Sequence, residues 1–289
     1  RTPVRKAILA GAVDRSAYGR AFGLERAMDT LGAIIGPLSA LIILEATDHN
    51  YRTLFAWTLV PGLLAAGVIA FLVQERDRVP VKHISFGERL RLLPKQYRRF
   101  VAGVALFGAG DFAHTMLILL ATQKLTPTLG AARAASIAVM LYVAHNIFYA
   151  SFSLVAGWLG DRCAKNRLLA AGYSCAGFMT ILIIVLPVSV WSMAAVFIVG
   201  GIYIAMEETL EDSLCAELVD ESHHGMAFGV LATVNGIGDF ISSIVVGVLW
   251  SAFGTGVAFG YSAVLFFLGA LVVSRVTPHQ TAGTIAPRS

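Results

Sequence analysis

Eight long runs of apolar residues divide the chain, and polar residues gather in the segments between them. A helix of roughly 17–25 apolar residues crosses a bilayer, and each run approaches or reaches that length. Helices are expected because an open sheet cannot satisfy its backbone hydrogen bonds in lipid. The pattern predicts an all-α, polytopic membrane protein with eight transmembrane helices, over residues 26–46, 53–73, 100–123, 134–158, 168–186, 188–206, 226–250 and 255–274.

The composition supports this prediction and excludes a water-soluble globule. Of the 289 residues, 57% are hydrophobic and only 14% are charged, which is far from the balance of a soluble domain. The net charge of +4 is not a nucleic-acid footprint, because the basic residues flank the apolar runs and form no single patch. We therefore expect the lipid bilayer, and no nucleic acid, as a partner.

Basic residues lie almost entirely on alternate connections. Of the 22 lysines and arginines, only Arg52, Lys124 and Arg133 lie on one side, and the remaining 19 lie on the other. The positive-inside rule assigns the basic side to the cytoplasm. This predicts a multi-pass protein of the plasma (cell inner) membrane with both termini of this chain in the cytoplasm. One predicted cytoplasmic connection, 207–224, differs because it is acidic and has no basic residue.

Residues near the start of the chain recur 206 positions later, and each copy heads a long apolar stretch. A repeat of this length indicates a duplicated domain and not a solenoid. Parallel duplicated halves in so apolar a chain are typical of secondary transporters. The recurring residues are Asp14, Ser16, Gly19, Ala21, Phe22, Gly23 and Gly32, which return as Asp220, Ser222, Gly225, Ala227, Phe228, Gly229 and Gly238.

A short motif after the fourth apolar run resembles the loop signature of the major facilitator superfamily. The chain reads GWLGDRCAKNR from Gly157. In that family the signature joins the second and third helices of a six-helix half on the cytoplasmic side. The matching residues here are Gly157, Asp161, Arg162, Lys165 and Arg167.

A second motif, Gly32, Gly36 and Pro37, resembles the fifth-helix pattern of exporters in the same family. Two glycines one helical turn apart let a neighbouring backbone approach closely, and the proline frees a backbone carbonyl. With the repeat and the sidedness, the resemblance implies a major facilitator helical bundle in which this chain supplies helices five to twelve of twelve.

The resemblance also implies a domain organisation. Residues 1–73 are the C-terminal part of the first six-helix half with two complete spans, and 74–98 are the central cytoplasmic loop. Residues 99–275 are the second six-helix half, and 276–289 are a cytoplasmic tail. On this interpretation roughly a hundred residues and four spans precede the chain, and we expect that the chain as given does not transport alone.

The loop motif predicts a cytoplasmic gate. The carboxylate of Asp161 can accept hydrogen bonds from the free N–H groups of a neighbouring helix N-terminus, which pseudo-symmetry places near Ala21 and Phe22. It can also pair with Arg162 or Arg167. The alternative is a solvated turn.

The repeat inverts charge near the same rim, and these opposite charges could pair across it. Exposed pairs are worth about 0–1 kcal/mol each, so such pairing would bias a gate and not hold the fold. The equivalent positions are Arg1, Arg5 and Lys6 in the first copy and Glu207, Glu211 and Asp212 in the second.

Ionisable and amide side chains lie midway along three spans, where an unpaired charge costs about 2.5–3.5 kcal/mol. Asp111 and His114 are three residues apart, so a helix places them on one face, where they could carry a coupling proton. The alternative is that such groups only join helices. Asp29 is expected to pair locally with Arg26. The candidates for a proton-coupling or substrate cavity are Asp111, His114, His145, Asn146, Asn235 and Asp239.

The sequence contains no phosphate loop, nucleophile elbow or metal-ligand cluster, so we expect no enzyme activity, cofactor or metal. The predicted function is secondary active transport of a small organic solute by alternating access, as proton-coupled export by an antiporter. The alternatives are an uptake symporter for a polar metabolite and a non-transporting membrane sensor. No buried Arg or Lys that could hold a carboxylate or phosphate is expected, and this argues against an organic anion as the solute. The expected partners are the solute and protons, and the expected state is a monomer.

Overall fold

The computed structural model describes residues 2–47, 50–72 and 93–277, and its regular elements there are helical. They are α1 (Thr2–Ala12), a 3-10 turn (Arg15–Ala17), α2 (Tyr18–Ala46), α3 (Tyr51–Leu72), α4 (Lys95–Gly108), α5 (Thr115–Leu129), α6 (Ala131–Gly160), α7 (Lys165–Val185), α8 (Val190–Leu218), a second 3-10 turn (Glu221–His223), α9 (His224–Phe253) and α10 (Thr255–Ser274). The predicted all-α class is confirmed.

Seven of the eight predicted spans correspond to single helices. Within the described ranges, six helices are long and apolar enough to cross a membrane, namely α2, α6, α7, α8, α9 and α10. The prediction of one continuous helix over 100–123 is wrong. α4 ends at Gly108 and α5 begins at Thr115, so neither helix is long enough to span a bilayer by itself.

The prediction of an acidic cytoplasmic connection over 207–224 is also wrong. Helix α8 continues to Leu218, and its last three turns contain the carboxylates assigned to that loop. The reason is tertiary: Glu211 and Asp212 are buried, and Lys6 and Arg26 on other helices pair with Asp212 and Glu208, so the helix continues although hydropathy falls. The loop is therefore only the short turn before α9.

The repeat is visible as secondary structure. A 3-10 turn at Arg15–Ala17 leads into α2, and its copy at Glu221–His223 leads into α9, with the same offset of 206. Equivalent side chains touch: the rings of Phe22 and Phe228 lie 5.7 Å apart. The two copies are therefore in direct contact at this pair of equivalent residues.

The chain forms two compact units. The smaller one, Leu31–Ser85, contains the end of α2 and α3. Within it, no atom of the described residues lies within 4 Å of a Cβ built on Gly32 or Gly36, and the side chain of Pro37 lies outside the description. The packing role of this motif therefore stays a prediction.

The larger unit, Arg1–Thr30 with Phe86–Ser289, holds the core. In it α6 packs against α8, and α7 packs against α8 and α10. The ring of Phe107 on α4 stacks on Tyr173 at 3.9 Å and on Phe266 at 4.6 Å, which joins α4 to α7 and α10. Most of the predicted loop 74–98 and of the tail 276–289 lies outside the described residues, so the predicted domain boundaries stay predictions.

Candidate functional site

A cavity of about 440 Å³ lies in the larger unit, among α1, α2, the α4–α5 break, α6, α8 and α9. Its lining is strongly acidic: six carboxylates face only two basic side chains, Lys6 and Arg26. The carboxylates are Asp111, Glu207, Glu208, Glu211, Asp212 and Asp239.

Helix α8 supplies four of these carboxylates from adjacent turns. Glu207 and Glu211 are four residues apart, as are Glu208 and Asp212, so the four side chains share one polar face of the helix. Glu207 and Glu211 are 8% and 2% exposed, so they belong to the cavity wall. Their burial excludes a solvent-exposed connection, and a role in the gate stays a prediction. Glu208 and Asp212 were not predicted as cavity residues, because hydropathy assigned this turn to a loop.

Two tyrosines and one asparagine donate hydrogen bonds to the carboxylates of α8. The hydroxyl of Tyr149 binds Glu208, and that of Tyr173 binds Glu211. The amide of Asn235 donates to the other oxygen of Glu211, over 2.9 Å. Buried polar groups need such partners. Tyrosines in apolar runs are common in cores, so the sequence carried no signal for these bonds.

The two basic residues are committed to acidic partners. Arg26 lies 3.1 Å from Glu208 and 3.4 Å from Asp212, and Lys6 lies 2.6 Å from Asp212. The side chains of Lys6 and Arg26 are 12% and 16% exposed. The expectation that no basic residue is buried here is wrong, although each cation has a carboxylate partner.

Pairing between inverted charges of the repeat is confirmed for Lys6 and Asp212, which are 206 positions apart. It is wrong for Arg5, which binds Glu25 and Asp29 at 2.8 Å and not Glu211. The predicted local pair between Asp29 and Arg26 is wrong for the same reason, because Arg5 takes Asp29.

The α4–α5 break places Asp111 and His114 on the cavity wall. The hydroxyl of Tyr203 lies 3.3 Å from an oxygen of Asp111 and 3.2 Å from the Nε2 of His114. Since a hydroxyl can donate and accept at once, it connects the carboxylate to the imidazole.

An unwound segment at membrane depth needs other partners for its backbone carbonyls. Tyr261 donates to the carbonyl of Ala109 over 3.0 Å, and Ser242 donates to that of Asp111. The break is therefore a satisfied structure in which the backbone turns a carboxylate toward the cavity.

Of the remaining predicted cavity residues, two line the cavity and two do not. Asn235 and Asp239 line the cavity. His145 does not: it is 2% exposed and its Nδ1 lies 3.1 Å from the carbonyl of Phe197. Asn146 donates to the carbonyl of Tyr142 within α6 and is also absent from the cavity wall. His145 reaches the site only through ring contact with His114, at 5.6 Å between centroids.

Asp161 joins the end of α6 to the start of α2. Its two oxygens accept from the backbone N–H of Gly19 at 2.7 Å and from the backbone N–H and Nε of Arg20 at 3.1 and 2.9 Å. The predicted bonds to a helix N-terminus are confirmed, at a helix that begins at Tyr18. Pairing with Arg162 or Arg167 is wrong, since Arg20 takes that place.

The other basic residues of the motif have separate roles. The guanidinium of Arg162 lies 3.8 Å from the ring centre of Trp158, and Lys165 lies 2.7 Å from Glu217. Arg167 is exposed. The motif thus contributes one joint through Asp161, one local contact at the end of α6 and one ion pair between α7 and α8.

Two glycines allow the joint to form. A Cβ built on Gly19 would overlap the carbonyl oxygen of Gly157, and one built on Gly157 would overlap that of Gly19. The backbones of α2 and α6 therefore touch, which only residues without a side chain permit. Gly157 of the predicted gate motif is thus a contact residue between these helices.

Comparisons with known proteins agree with this architecture. A family model described as Major Facilitator Superfamily matches residues 104–289. A protein of Methanocaldococcus jannaschii, described as an uncharacterized MFS-type transporter, is 28% identical over 273 residues, which are 94% of this chain and 67% of that protein. Uncharacterized proteins of Mycobacterium bovis and Mycobacterium tuberculosis are 23% identical over 244 residues, which are 80% of this chain and 56% of theirs. The chain thus spans between about half and two thirds of these relatives. Because the family model covers well over half of the chain, the chain belongs to the Major Facilitator Superfamily.

Proposed function

We propose that this protein is a secondary active transporter that exports a small organic solute by alternating access, driven by protons. The superfamily and the archaeal relative support membrane transport as the general function, and they point away from an enzyme. The observation that carries the finer proposal is the cavity in which six carboxylates face two basic residues.

Protons enter the proposal through the charge balance of that cavity. Lys6 and Arg26 pair with Asp212 and Glu208. The other four carboxylates have no ion pair with any basic residue that the structure describes. An unpaired charge at membrane depth costs about 2.5–3.5 kcal/mol, so these acids are stable when they hold a proton or meet a charged solute. A site with that property exchanges a bound proton for a bound charged solute.

The joint at Asp161 supports the alternating-access part of the proposal. It connects the first helix turn of α2 to the end of α6 through hydrogen bonds that can break and re-form. The positive-inside rule assigns this face to the cytoplasm, so we place the joint at a cytoplasmic gate of the plasma (inner) membrane. The functional state that we propose is a monomer.

Export is favoured over uptake by the resemblance of Gly32, Gly36 and Pro37 to the exporter motif. Uptake of a polar metabolite by a symporter is the alternative, and it differs in the direction of flux relative to the proton gradient. A non-transporting sensor would show no flux in either direction.

The test uses the protein expressed from its complete gene and reconstituted in vesicles. Flux of a broad compound panel is measured under pH gradients of both signs, with Asp111→Asn and Asp239→Asn as variants. Glu221→Gln, an exposed carboxylate outside the cavity, is the matched control.

We expect the solute to move in the direction opposite to proton flow. We expect both cavity variants to lose pH-driven flux while they still insert into the membrane. If both transport like the parent and the control, the cavity carboxylates are structural and the proton-coupling proposal is wrong. If no compound moves in either direction, the sensor alternative is favoured.

A further inference from the structure

Glu207 differs from its acidic neighbours on α8. Its side chain is 8% exposed and lines the cavity, yet its Oε2 is buried and accepts no hydrogen bond from the residues that the structure describes. Glu208 and Glu211, by contrast, accept bonds from tyrosines, and Asp212 accepts one from Lys6.

Leaving a buried polar group without a hydrogen-bond partner is unfavourable, and more so for a charged group. Such groups are rare in folded proteins and call for a reason, of which an unfilled ligand contact is one. Because Glu207 lines the cavity, a solute there can supply the missing donor once the carboxylate turns Oε2 toward it.

We infer that Glu207 is the counter-ion of the transported solute, and that the solute is an organic cation with N–H donors, an amine or a guanidinium joined to an apolar group. This inference deepens the proposed function and rests on it. It assigns to Glu207 a ligand-binding role in place of the gate role that the sequence predicted.

The charges around Glu207 favour a cation. The two basic groups of the cavity already bind Asp212 and Glu208. Asp111, Glu211 and Asp239 share the cavity with Glu207 and add to its negative potential, while His114 is the remaining titratable side chain of the break. An anionic solute would meet these carboxylates without a free basic partner.

The shape and the apolar lining favour an organic cation over a metal ion. A volume of about 440 Å³ falls in the range of about 300–1,000 Å³ that ligand pockets occupy. Phe107, Phe112 and Ile204 contribute apolar surface to the wall. Among the residues that the structure describes, no group of three or more His, Cys, Asp and Glu side chains is arranged to hold a metal ion.

The test is a binding measurement with matched probes. N-dansylcadaverine carries an apolar fluorescent group and a terminal ammonium, and its N-acetyl derivative has nearly the same shape without the charge. Binding to the purified protein from the complete gene is followed by dansyl fluorescence, with three further amines and their acetylated partners. The variant is Glu207→Gln, and Glu221→Gln is the control.

We expect each cation that binds to do so more tightly than its neutral partner. Glu207→Gln should weaken cation binding about ten- to hundredfold, as for loss of a hydrogen bond to a charged group, and Glu221→Gln should not. If no cation binds more tightly than its neutral partner, or if Glu207→Gln binds cations like the parent, the inference is wrong.

Folding of the variant can be checked separately. Glu207→Gln keeps the side-chain shape and removes an unpaired buried charge, so the thermal unfolding midpoint should equal or exceed that of the parent. If this variant does not fold, Glu207→Asp keeps the charge and should keep the preference for cation over neutral probe. Loss of that preference in a folded Glu207→Asp protein, with unchanged neutral binding, would also contradict the inference.

Binding and flux distinguish this inference from the proposed function. A cation that binds through Glu207 in a protein without pH-driven flux contradicts the proposed function and supports the binding site. pH-driven flux of neutral solutes alone, with no cation preference, supports the proposed function and overturns the inference.

Discussion

Two glycines that occupy equivalent positions of the repeat provide a matched test of the α2–α6 contact. Gly19 is buried, and a Cβ built on it would overlap the carbonyl oxygen of Gly157 and lie 2.7 Å from an oxygen of Asp161. Gly225, 206 residues later, is exposed and has no atom of the described residues within 4 Å of that point. Both stand in the first turn of a long helix.

The expected magnitudes follow from these contacts. Replacing glycine by alanine in a helix is worth up to about 1 kcal/mol in favour of alanine, and this contribution is common to both sites. Forcing a methyl group into a closed contact costs about 1–3 kcal/mol, and this cost arises only at Gly19. We therefore expect Gly19→Ala to lower the free energy of unfolding by about 1–3 kcal/mol relative to Gly225→Ala.

The assay is unfolding of the two purified variants by SDS in mixed micelles. It can be followed by tryptophan fluorescence, because Trp158 lies one helical turn before Asp161. Gly225→Ala should unfold at the same or a higher SDS fraction than the parent, and Gly19→Ala at a lower one. If Gly19→Ala is as stable as Gly225→Ala, then the backbones of α2 and α6 do not make this close contact.

Three further predictions concern the charged groups. Asp161→Asn should lower the free energy of unfolding by about 1.5–3 kcal/mol through loss of charge-assisted hydrogen bonds. The control Asp220→Asn, at a side chain that is 85% exposed, should change it by no more than about 0.5 kcal/mol. Equal effects of the two variants in SDS unfolding would contradict this prediction. A double-mutant cycle of Lys6→Met and Asp212→Leu should give a coupling of about 0.5–3 kcal/mol, and additive effects would show that the 2.6 Å ion pair contributes nothing. Tyr203→Phe should slow pH-driven flux about tenfold, as for loss of one buried hydrogen bond, and should leave solute affinity unchanged. An unchanged rate would show that the Tyr203 hydroxyl takes no part in proton transfer between Asp111 and His114.

Much of the fold followed from hydropathy, because a lipid-facing helix must be apolar over a bilayer thickness. Helices α6 and α7 match their predicted spans within a few residues. The bonds of Asp161 were predictable because a carboxylate beside a free helix N-terminus has few better partners. The same reasoning failed where polar residues are buried by other helices: hydropathy reads local composition, and it extended a helix through the break after Gly108 and ended α8 too early.

The candidate site was predictable only in part. Asp111 and Asp239 were found because a carboxylate within an apolar run is conspicuous. Glu207, Glu208, Glu211 and Asp212 were misplaced, because four acids in six residues resemble a solvated connection until their partners are known. Those partners come from distant segments: Lys6 from α1, Arg26 from α2 and Tyr173 from α7.

The order of apolar and polar residues along the chain was thus enough to predict the helical class and the membrane environment, because these depend on local composition. The duplication was predicted from residues that recur 206 positions later, and the superfamily from the resemblance of the motif at Gly157. Which carboxylates share a cavity, which of them hold a basic partner and which one is left with an unpartnered oxygen depend on contacts between helices far apart in sequence. A one-dimensional pattern carries charge and hydropathy but not distance, and the electrostatic energy of a buried group is set by the distance to its partners.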